Sequence, residues 1–323
     1  MDQLLKFKPI LKDKIWGGEK LIQKLNKQST RKDVGESWEL SDVKGDTSVV
    51  VNGDLKGKDL KELISEYKSD LMGEKVYNHF GENFPLLIKF IDAKEALSIQ
   101  LHPHDDLAKK RHDSFGKTEM WYVMQADEKA NLIVGFQKEV TPEEYLHHLE
   151  NKTLTDILNI DEVKKGDVYF IPTGRVHAIG AGVLLAEIQQ TSDITYRIYD
   201  WDRPNPDGTY RELHTEEALD AIDYSAKESY QTTYRKRQNT SSEIVSCPYF
   251  TTSVLPVQGQ IAVNHTDKDS FVIYMCVEGE VEITYKNKKE SLKMGETILV
   301  PASIKELEIS SEKQSELLEV YIK

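Results

Sequence analysis

The sequence predicts a mainly β protein made of two related β-barrel units with a few inserted α-helices. Three observations lead to this prediction. Short runs of β-forming residues separated by polar turns dominate the chain from residue 84 onward. Helical signals are confined to three stretches, near 57–79, 141–163 and 215–227. Finally, one β-rich segment of the first half recurs in the second half.

The first part of the chain mixes strand and helix signals. The first 50 or so residues contain short β-like runs, SWEL and TSVVV, among turn glycines. In 57–79 the apolar residues follow helical spacing, which predicts one or two helices. The apolar run FPLLIKFIDAKEALSIQLHP then predicts a hairpin or two consecutive strands, broken by the polar DAKE turn.

The middle of the chain alternates between the two patterns. MWYVMQADEKANLIVGF (120–136) predicts strand, polar turn and strand. A helix is expected over 141–163, because Thr141 suits an N-cap, Pro142 the first helical position, and Glu143 and Glu144 the first turn. Strands resume after Lys165, a short helix follows at 215–227, and nearly everything from about residue 246 is strand and turn.

The internal repeat pairs KKGDVYFIPTGRVH (164–177) with LKMGETILVPASIKE (292–306). Upstream, WYVMQADEKANLIVGF is matched by VIYMCVEGEVEITY. We therefore expect two units, residues 1–240 with the helical inserts and residues 241–323. The copies differ in polar side chains, because the second has Glu306 at the place of His177 and Ser270 near the place of Glu119.

Composition limits the partners of the chain. Its 323 residues carry a formal net charge of −13, which disfavours nucleic acid and anionic membranes. Two cysteines are too few for a disulfide framework and indicate a reducing compartment. We expect no signal peptide, no transmembrane segment and a cytoplasmic location. An anionic ligand would need a local cluster of Lys and Arg.

Four polar side chains form a candidate metal site. In a strand, Gln100 and His102 share one face, and Ile99 and Leu101 share the other. Glu119 begins a second β-run and His177 ends a third, so three strands can bring these groups to one point. Since an unpaired buried polar group is costly, a bound ion would satisfy them. Two imidazoles, one carboxylate and one amide suit zinc or another late divalent ion.

The motifs together resemble a known family. LSIQLHP, GKTEMWYVM, GDVYFIPTGRVHAI and SDITYR, with IWGG and GESWEL nearer the start, resemble type I mannose-6-phosphate isomerase (phosphomannose isomerase) in its shorter bacterial form. The resemblance covers most of the chain. It implies the cupin, or jelly-roll, type of β-barrel. It also implies one Zn²⁺ per chain and reversible isomerisation of mannose 6-phosphate and fructose 6-phosphate. The implied zinc ligands are Gln100, His102, Glu119 and His177.

The same resemblance assigns the catalytic Arg to Arg197 and the Lys before the zinc-binding Glu to Lys117. One position departs from the family, because many members have His-Lys-Pro-Glu where this chain has Gly116-Lys117-Thr118-Glu119. Ring opening would then be spontaneous or fall to another group such as His104.

The residues themselves leave the proton carrier open. Moving a proton between C1 and C2 through a cis-enediol(ate) needs a base and a cation that stabilises the growing negative charge. Glu187, on a predicted strand with apolar neighbours, and Lys117 are both candidate bases. Arg197 could stabilise the enediolate or the phosphate. Ser98, Lys117, Arg197 and Asp193 are expected to bind substrate. We expect a monomer or a weak homo-oligomer.

Two other functions fit similar parts. Two His and one Glu in such a barrel can hold Fe²⁺ in an oxygenase or decarboxylase. Gln100 and the Lys/Arg pair disfavour this, and metal analysis with an oxygen-uptake assay would separate the two. A non-catalytic sugar-phosphate-binding cupin would bind its ligand tightly without turnover. The lack of an evident DNA-binding helix pair weakens a sensor role.

Overall fold

Strands dominate the computed structural model, which describes residues 1–205 and 207–323. The strands are β1 Ile10–Gly18, β2 Val34–Leu40, β3 Asp42–Val43, β4 Asp46–Thr47, β5 Leu86–Ala93, β6 Ile99–Leu101, β7 Glu119–Ala126, β8 Asn131–Phe136, β9 Leu158–Glu162, β10 Val168–Ile171, β11 His177–Ile179, β12 Val183–Gln190, β13 Tyr196–Tyr199, β14 Ser242–Ser246, β15 Thr251–Asn264, β16 Val272–Glu278, β17 Glu280–Tyr285, β18 Lys288–Lys293, β19 Thr297–Val300 and β20 Glu306–Tyr321. The helices are α1 Lys20–Gln23, α2 Leu60–Tyr67, α3 Ser69–Met72, α4 Glu74–Phe80, α5 Asp105–His112, α6 Pro142–Glu150 and α7 Thr215–Leu219, with a 3₁₀ turn at Leu154–Ile157. The predicted mainly β fold with a few inserted helices is confirmed.

Two antiparallel sheets form the first unit. The first sheet has the order β1-β2-β5-β12-β7-β10, and the second has the order β13-β6-β11-β8-β9. Apolar residues of both, among them Ile91, Trp121, Val123, Leu132 and Val134, share one buried cluster. The two sheets therefore pack face to face, and the predicted strand pairs 84–103 and 120–136 each cross from one sheet to the other instead of forming hairpins.

A third sheet forms the second unit. Its order is β14-β15-β20-β16-β19; off this path, β17 pairs with the first part of β20, and β18 pairs with β17. The long strands β15 and β20 pair along most of their length, with a register shift between Val257 and Gly259. A buried cluster contains residues from both halves of these strands, including Leu255, Val257, Leu307 and Leu317. The sheet thus folds over on its own core.

The outer face of the first sheet packs on the third sheet. Their shared cluster includes Phe90 and Tyr122 of the first sheet and Ile273 and Leu318 of the third, with Leu63 of α2 beside them. The outer face of the second sheet is covered by helices, because Ile99 and Leu101 lie in one cluster with residues of α6 and α7. This is the outward packing expected for Ile99 and Leu101.

The internal repeat is visible in the hydrogen bonds of both units. The Gly166 amide donates to the Val123 carbonyl, and the Val123 amide donates to the Asp167 carbonyl, at 2.8 and 2.9 Å. In the second copy the Gly295 amide donates to the Cys276 carbonyl, and the Cys276 amide donates to the Glu296 carbonyl, at 2.8 and 3.0 Å. Both glycines have positive φ, +90° and +87°, which glycine adopts without strain.

The strand registers show how the second copy differs. His177 lies opposite Gln100, whereas Glu306 lies opposite Asn264. Glu119 lies opposite Ile171 in the first unit, and the pair at the same place in the second unit is Val272 with Val300. The residue at the place of Glu119 is therefore Val272, a buried core residue, and not Ser270, which lies two positions earlier.

Three helical predictions need correction at their boundaries. Residues 57–79 form three short helices, interrupted at Lys68 and Gly73, where φ is +47° and +90°. The helix expected over 141–163 begins as predicted, with Thr141 and Glu144 in a capping box and Pro142 at its start. It ends at Glu150, and 158–162 is strand β9, because these residues pair with β8 and form the edge of the second sheet. The helix of 215–227 ends at Leu219, and Ala226 instead bridges to Phe136.

Among the described residues, no helix combines the length and the apolar character needed to cross a membrane.

Candidate active site

Three strands of the first sheet direct polar side chains toward the space between the two sheets. On β12, Leu184, Ala186 and Ile188 face the third sheet, so Glu187 faces the opposite side. The same alternation places Glu119 beside Trp121 on β7. It also places Lys89 on the inner face of β5, beside Ile91. A period-two pattern thus aims three charged groups into the interior of the first unit.

The second sheet supplies the facing groups. Gln100 of β6 lies opposite His177 of β11 in the antiparallel register. His102 follows β6 by one residue, and its carbonyl accepts the Gly174 amide at 2.8 Å. Because Ile99 and Leu101 pack outward, Gln100 lines the interior cavity.

His102, Glu119 and His177 form a buried cluster with one ligand atom of each within 4.8 Å of the others. The His102 Nε2 atom lies 3.4 Å from Glu119 Oε2, and His177 Nε2 lies 3.5 Å from Glu119 Oε1. Neither carboxylate oxygen accepts a hydrogen bond, although each is fully buried. Within residues 1–205 and 207–323, this is the one cluster of three or more His, Cys, Asp or Glu side chains with such spacing.

Backbone carbonyls fix the orientation of both imidazoles. His102 Nδ1 donates to the Ile194 carbonyl at 2.8 Å, and His177 Nδ1 donates to the Arg175 carbonyl at 2.8 Å. Each Nε2 atom then keeps its lone pair and points toward Glu119. Metal-binding histidines commonly show this arrangement, in which the second ring nitrogen is held by an outer acceptor.

Electrostatics keep the cluster in the form that binds a cation. Burial, followed by the nearby Lys117, lowers the pKa of His102 to about 3. Burial also lowers the pKa of His177. Burial would raise the pKa of Glu119, but Lys117 and the histidines outweigh it and hold that pKa well below its usual value. Both imidazoles are therefore neutral and the carboxylate is charged at neutral pH.

A cavity of about 150 Å³ lies beside this cluster. Five basic side chains line it, and three acidic ones, so its wall is locally positive in a chain of net charge −13. The basic ones are Lys14, Lys89, Lys117, Arg197 and Arg211, and the acidic ones are Glu36, Glu187 and Asp193. This is the local Lys and Arg cluster that an anionic ligand requires.

The residues predicted to bind substrate all line the cavity. Arg197 Nε donates to Ser98 Oγ at 3.3 Å, and its Nη1 donates to the Glu212 carbonyl at 2.8 Å. Lys117 is buried, with Nζ 3.1 Å from His102 Nε2 and 3.2 Å from Glu119 Oε2. Asp193 is exposed on the segment between β12 and β13.

Glu187 is held by two donors on the cavity wall. Lys89 Nζ donates to Glu187 Oε1 at 2.9 Å, and Trp121 Nε1 donates to Oε2 at 2.9 Å. Burial and the nearby Glu119 raise the pKa of Glu187, and Lys89 opposes this shift. Each carboxylate oxygen retains one further lone pair, so Glu187 can accept a proton from a molecule in the cavity.

Sequence reasoning missed Lys89, Glu36 and Lys14. Lys89 pairs with Glu187, and Lys14 Nζ lies 3.1 Å from Glu36 Oε1. The sequence signal for this group is Lys89 itself, which is the one basic residue in the strand LLIKFIDA. The other residues of that strand are apolar except for Asp92. A charged side chain in the middle of a buried strand is rarely placed there without a partner.

His104, the alternative suggested for ring opening, does not lie in the cavity. It is exposed and caps α5, where its Nδ1 accepts the Leu107 amide at 3.4 Å.

Comparisons with known proteins agree with this architecture. Residues 4–137 match the family model for the phosphomannose isomerase type I catalytic domain, and residues 240–322 match the model for the mannose-6-phosphate isomerase cupin domain. The chain is 33% identical to a mannose-6-phosphate isomerase of Streptococcus mutans over 90% of each chain. It is also 33% identical to mannose-6-phosphate isomerase ManA of Bacillus subtilis over 94% of each chain.

Solved structures show the same fold. The crystal structure of the mannose 6-phosphate isomerase from Bacillus subtilis superimposes with a TM-score of 0.89, at 31% identity and with full coverage of both chains. A phosphomannose isomerase from Salmonella typhimurium, in its apo form, matches at a TM-score of 0.79 and 17% identity, which shows the fold alone. The chain belongs to the type I phosphomannose isomerase family.

Proposed function

We propose that this protein interconverts mannose 6-phosphate and fructose 6-phosphate with the help of one zinc ion. The observation that carries the proposal is the buried cluster of His102, Glu119 and His177 at the edge of a cavity lined by five basic side chains. The cluster suits a divalent cation, and the positive wall suits a phosphorylated ligand.

The donor set fits zinc. Two neutral imidazoles and one carboxylate are typical zinc ligands. The two buried oxygens of Glu119 accept no hydrogen bond, and Lys117 Nζ, 3.2 Å from Oε2, is the one ammonium group beside them in the described part of the chain, so an ion would supply the missing contacts. Gln100 Nε2 lies 3.5 Å from His177 Nε2, and rotation of the amide exchanges its nitrogen and oxygen. We therefore assign His102, Glu119, His177 and Gln100 as the ligands. A zinc ion held there supplies the Lewis acid that polarises a carbonyl or hydroxyl oxygen.

The chain's own groups divide the remaining work. Arg197 and Ser98, joined by a hydrogen bond on the cavity wall, are proposed to hold an anionic part of the substrate, with Asp193 at the exposed edge. Lys117 forms an ion pair with Glu119, so we assign it the role of a fixed cation near the reacting oxygens and not that of a base. Trp16 and Trp121 are buried and line the same cavity, where their large apolar rings are proposed to limit water.

Glu187 is the proposed proton carrier. Its carboxylate would take the proton from one of the two carbons and return it to the other, which forms and consumes a cis-enediol(ate). A raised pKa favours this role, because a general base works best when its pKa lies near the working pH.

The second unit has a different proposed role. We assign catalysis to residues 1–240, and packing to residues 241–323, where Val272 and Glu306 replace two of the ligand positions. The ligand is a small sugar phosphate in the cytoplasm, and a monomer or a weak homo-oligomer would suffice, because the proposed ligands all come from one chain.

A coupled assay tests the proposed function. Purified protein is given mannose 6-phosphate, and the fructose 6-phosphate formed is measured. The reverse reaction is followed from fructose 6-phosphate to mannose 6-phosphate. We expect turnover without oxygen uptake. Oxygen consumption with bound iron would favour an oxygenase, and tight binding of mannose 6-phosphate without turnover would favour a non-catalytic binding protein.

Replacement of Lys89 tests the role of Glu187. In Lys89→Met the positive charge that favours the ionised form of Glu187 is lost, so the pKa of Glu187 rises further. Since the base must be ionised, the acidic limb of kcat/KM against pH is expected to move upward by about one unit. The pH profile of the coupled assay measures this shift.

Lys27→Met is the matched control. Lys27 pairs with Glu39 at 2.7 Å, and both side chains are as buried as Lys89 and Glu187, but the pair lies outside the cavity. It should lower stability in the same way and leave the acidic limb in place. An unmoved limb in Lys89→Met would remove Glu187 from the role of base.

A further inference from the structure

A hydrogen-bonded clamp holds the backbone on both sides of Lys117. The Gly116 amide donates to Asp105 Oδ1 at 2.8 Å, and the Thr118 amide donates to Gln190 Oε1 at 2.8 Å. The Gln190 amide donates to the Thr118 carbonyl at 3.1 Å, and Gln190 Nε2 donates to Asp105 Oδ1 at 3.1 Å. Asp105 and Gln190 thus fix both peptide units around the residue whose ammonium group enters the site.

The clamp explains why residue 116 is a glycine in this chain. A Cβ atom at Gly116 would lie 2.8 Å from the Asp105 amide nitrogen and 2.9 Å from Asp105 Oδ1, closer than real Cβ contacts allow. Asp105 occupies the space in which a side chain at 116 would begin. Gly116, which departs from the family's His-Lys-Pro-Glu pattern, therefore lies beside the Asp105 carboxylate, which fills the space that a side chain at 116 would need.

The second unit completes the clamp. Tyr249 lies in the turn between β14 and β15 of the third sheet, and its hydroxyl donates to Asp105 Oδ2 at 2.5 Å. Each oxygen of Asp105 is then fixed, one by the segment that carries Lys117 and one by the second unit. Asp105 and Tyr249 are both half-buried, so loss of this bond would free the carboxylate to turn toward water.

We propose that Tyr249 is a positioning residue that holds Lys117 in place through Asp105, so that the unit without metal ligands takes part in the reaction. Lys117 Nζ lies within 3.2 Å of His102 and Glu119 atoms, so a small movement of its backbone changes the contacts of the cation at the site. Placement errors of about 1 Å can reduce an enzymatic rate by up to about 100-fold. The activity readout for Tyr249 rests on the proposed function.

The variant Tyr249→Phe tests this role, because it removes one hydroxyl and keeps the ring. We expect kcat to fall about tenfold, with zinc content and Tm unchanged. Hydrogen–deuterium exchange of a peptide covering 114–119 should become faster, since the Gly116 and Thr118 amides depend on the clamp. In a Lys117→Gln background the added Tyr249→Phe change should have no further effect on kcat.

Tyr234→Phe is the matched control. Tyr234 is also half-buried, and its hydroxyl donates to the Gly166 carbonyl at 2.6 Å, away from the clamp. It should keep wild-type kcat and wild-type exchange at 114–119. The inference would be overturned by wild-type kcat and exchange in Tyr249→Phe, by an equal loss in Tyr234→Phe, or by full additivity with Lys117→Gln.

The exchange measurement separates this inference from the proposed function. An inactive wild-type protein would contradict the proposed function, and faster exchange at 114–119 in Tyr249→Phe would still support the clamp. An active wild type with an unaffected Tyr249→Phe variant would contradict the clamp and leave the isomerase assignment in place.

Discussion

His177→Ala is expected to remove both the bound metal and the isomerase activity. The imidazole is one of two neutral nitrogen donors in the cluster. Its Nδ1 is held by the Arg175 carbonyl, so Nε2 faces Glu119, Gln100 and the proposed ion. Loss of a metal's stabilisation of transition-state charge is worth several kcal/mol. At about 5 kcal/mol, kcat/KM would fall about 10⁴-fold.

Metal analysis and the coupled assay measure these two effects on the same sample. His148→Ala is the control, because His148 lies on α6, where its Nδ1 bonds to Thr153 Oγ1, outside the cavity. The control should retain about one zinc per chain and full activity. A His177→Ala protein with normal zinc and normal kcat/KM would show that this imidazole is not a ligand.

Arg197→Ala is expected to keep the metal and lose most of the activity. Arg197 lines the cavity, and its guanidinium donates to Ser98 Oγ and to the Glu212 carbonyl; it makes no hydrogen bond or ion pair with His102, Glu119 or His177. Removal of one preorganised cationic donor typically reduces kcat by about 10²–10³-fold. The contrast with His177→Ala separates binding of the ion from stabilisation of the substrate.

Arg111→Ala provides the comparison for loss of an arginine elsewhere. Arg111 pairs with Asp220 and the Glu217 carbonyl on the outside of the cavity. We expect zinc content and kcat/KM near the wild-type values. An Arg197→Ala variant that turned over at the wild-type rate would remove Arg197 from the proposed machinery, whereas loss of its zinc would move it to a role in building the metal site.

Strand alternation is the part of the site that the sequence predicts well. The period of two placed Gln100 opposite to Ile99 and Leu101, and the structure shows that inward and outward arrangement. The repeat likewise indicated which copy carries the histidines. Both patterns are local, or compare one local segment with another, so a single sequence contains them.

Pairing between residues far apart in the chain cannot be predicted from this sequence alone. The pairing of Lys89 with Glu187 joins residues 98 positions apart, and only the register of β5 with β12 brings them together. For the same reason the sequence predicts helix over 158–162, because nothing local shows that β8 has a free edge with which these residues pair. The sequence repeat places Ser270 near the position of Glu119, and the strand register identifies the matching residue as Val272, two positions later.

The second unit repeats one further feature of the site in altered form. Glu187 lies opposite Trp121, and Glu319 lies opposite Tyr274, the residue at the same place in the repeat. Glu319 bonds to Lys268, Tyr274 and Ser241, which fill the space around it. Burial would raise the pKa of Glu319, but the neighbouring His265, Lys268 and Ser241 outweigh burial and lower that pKa to about 2. Glu187 thus faces a cavity in the first unit, whereas Glu319, at the same place in the second unit, belongs to a packed ion pair.

The dependence of turnover on a metal ion in the His102, Glu119 and His177 cluster is tested most directly by chelation. Protein is stripped of metal until elemental analysis finds none, assayed with mannose 6-phosphate, and assayed again after one equivalent of Zn²⁺ is added. We expect activity to fall to background and to return with about one zinc per chain. Full activity in the stripped protein would contradict a metal role in this reaction.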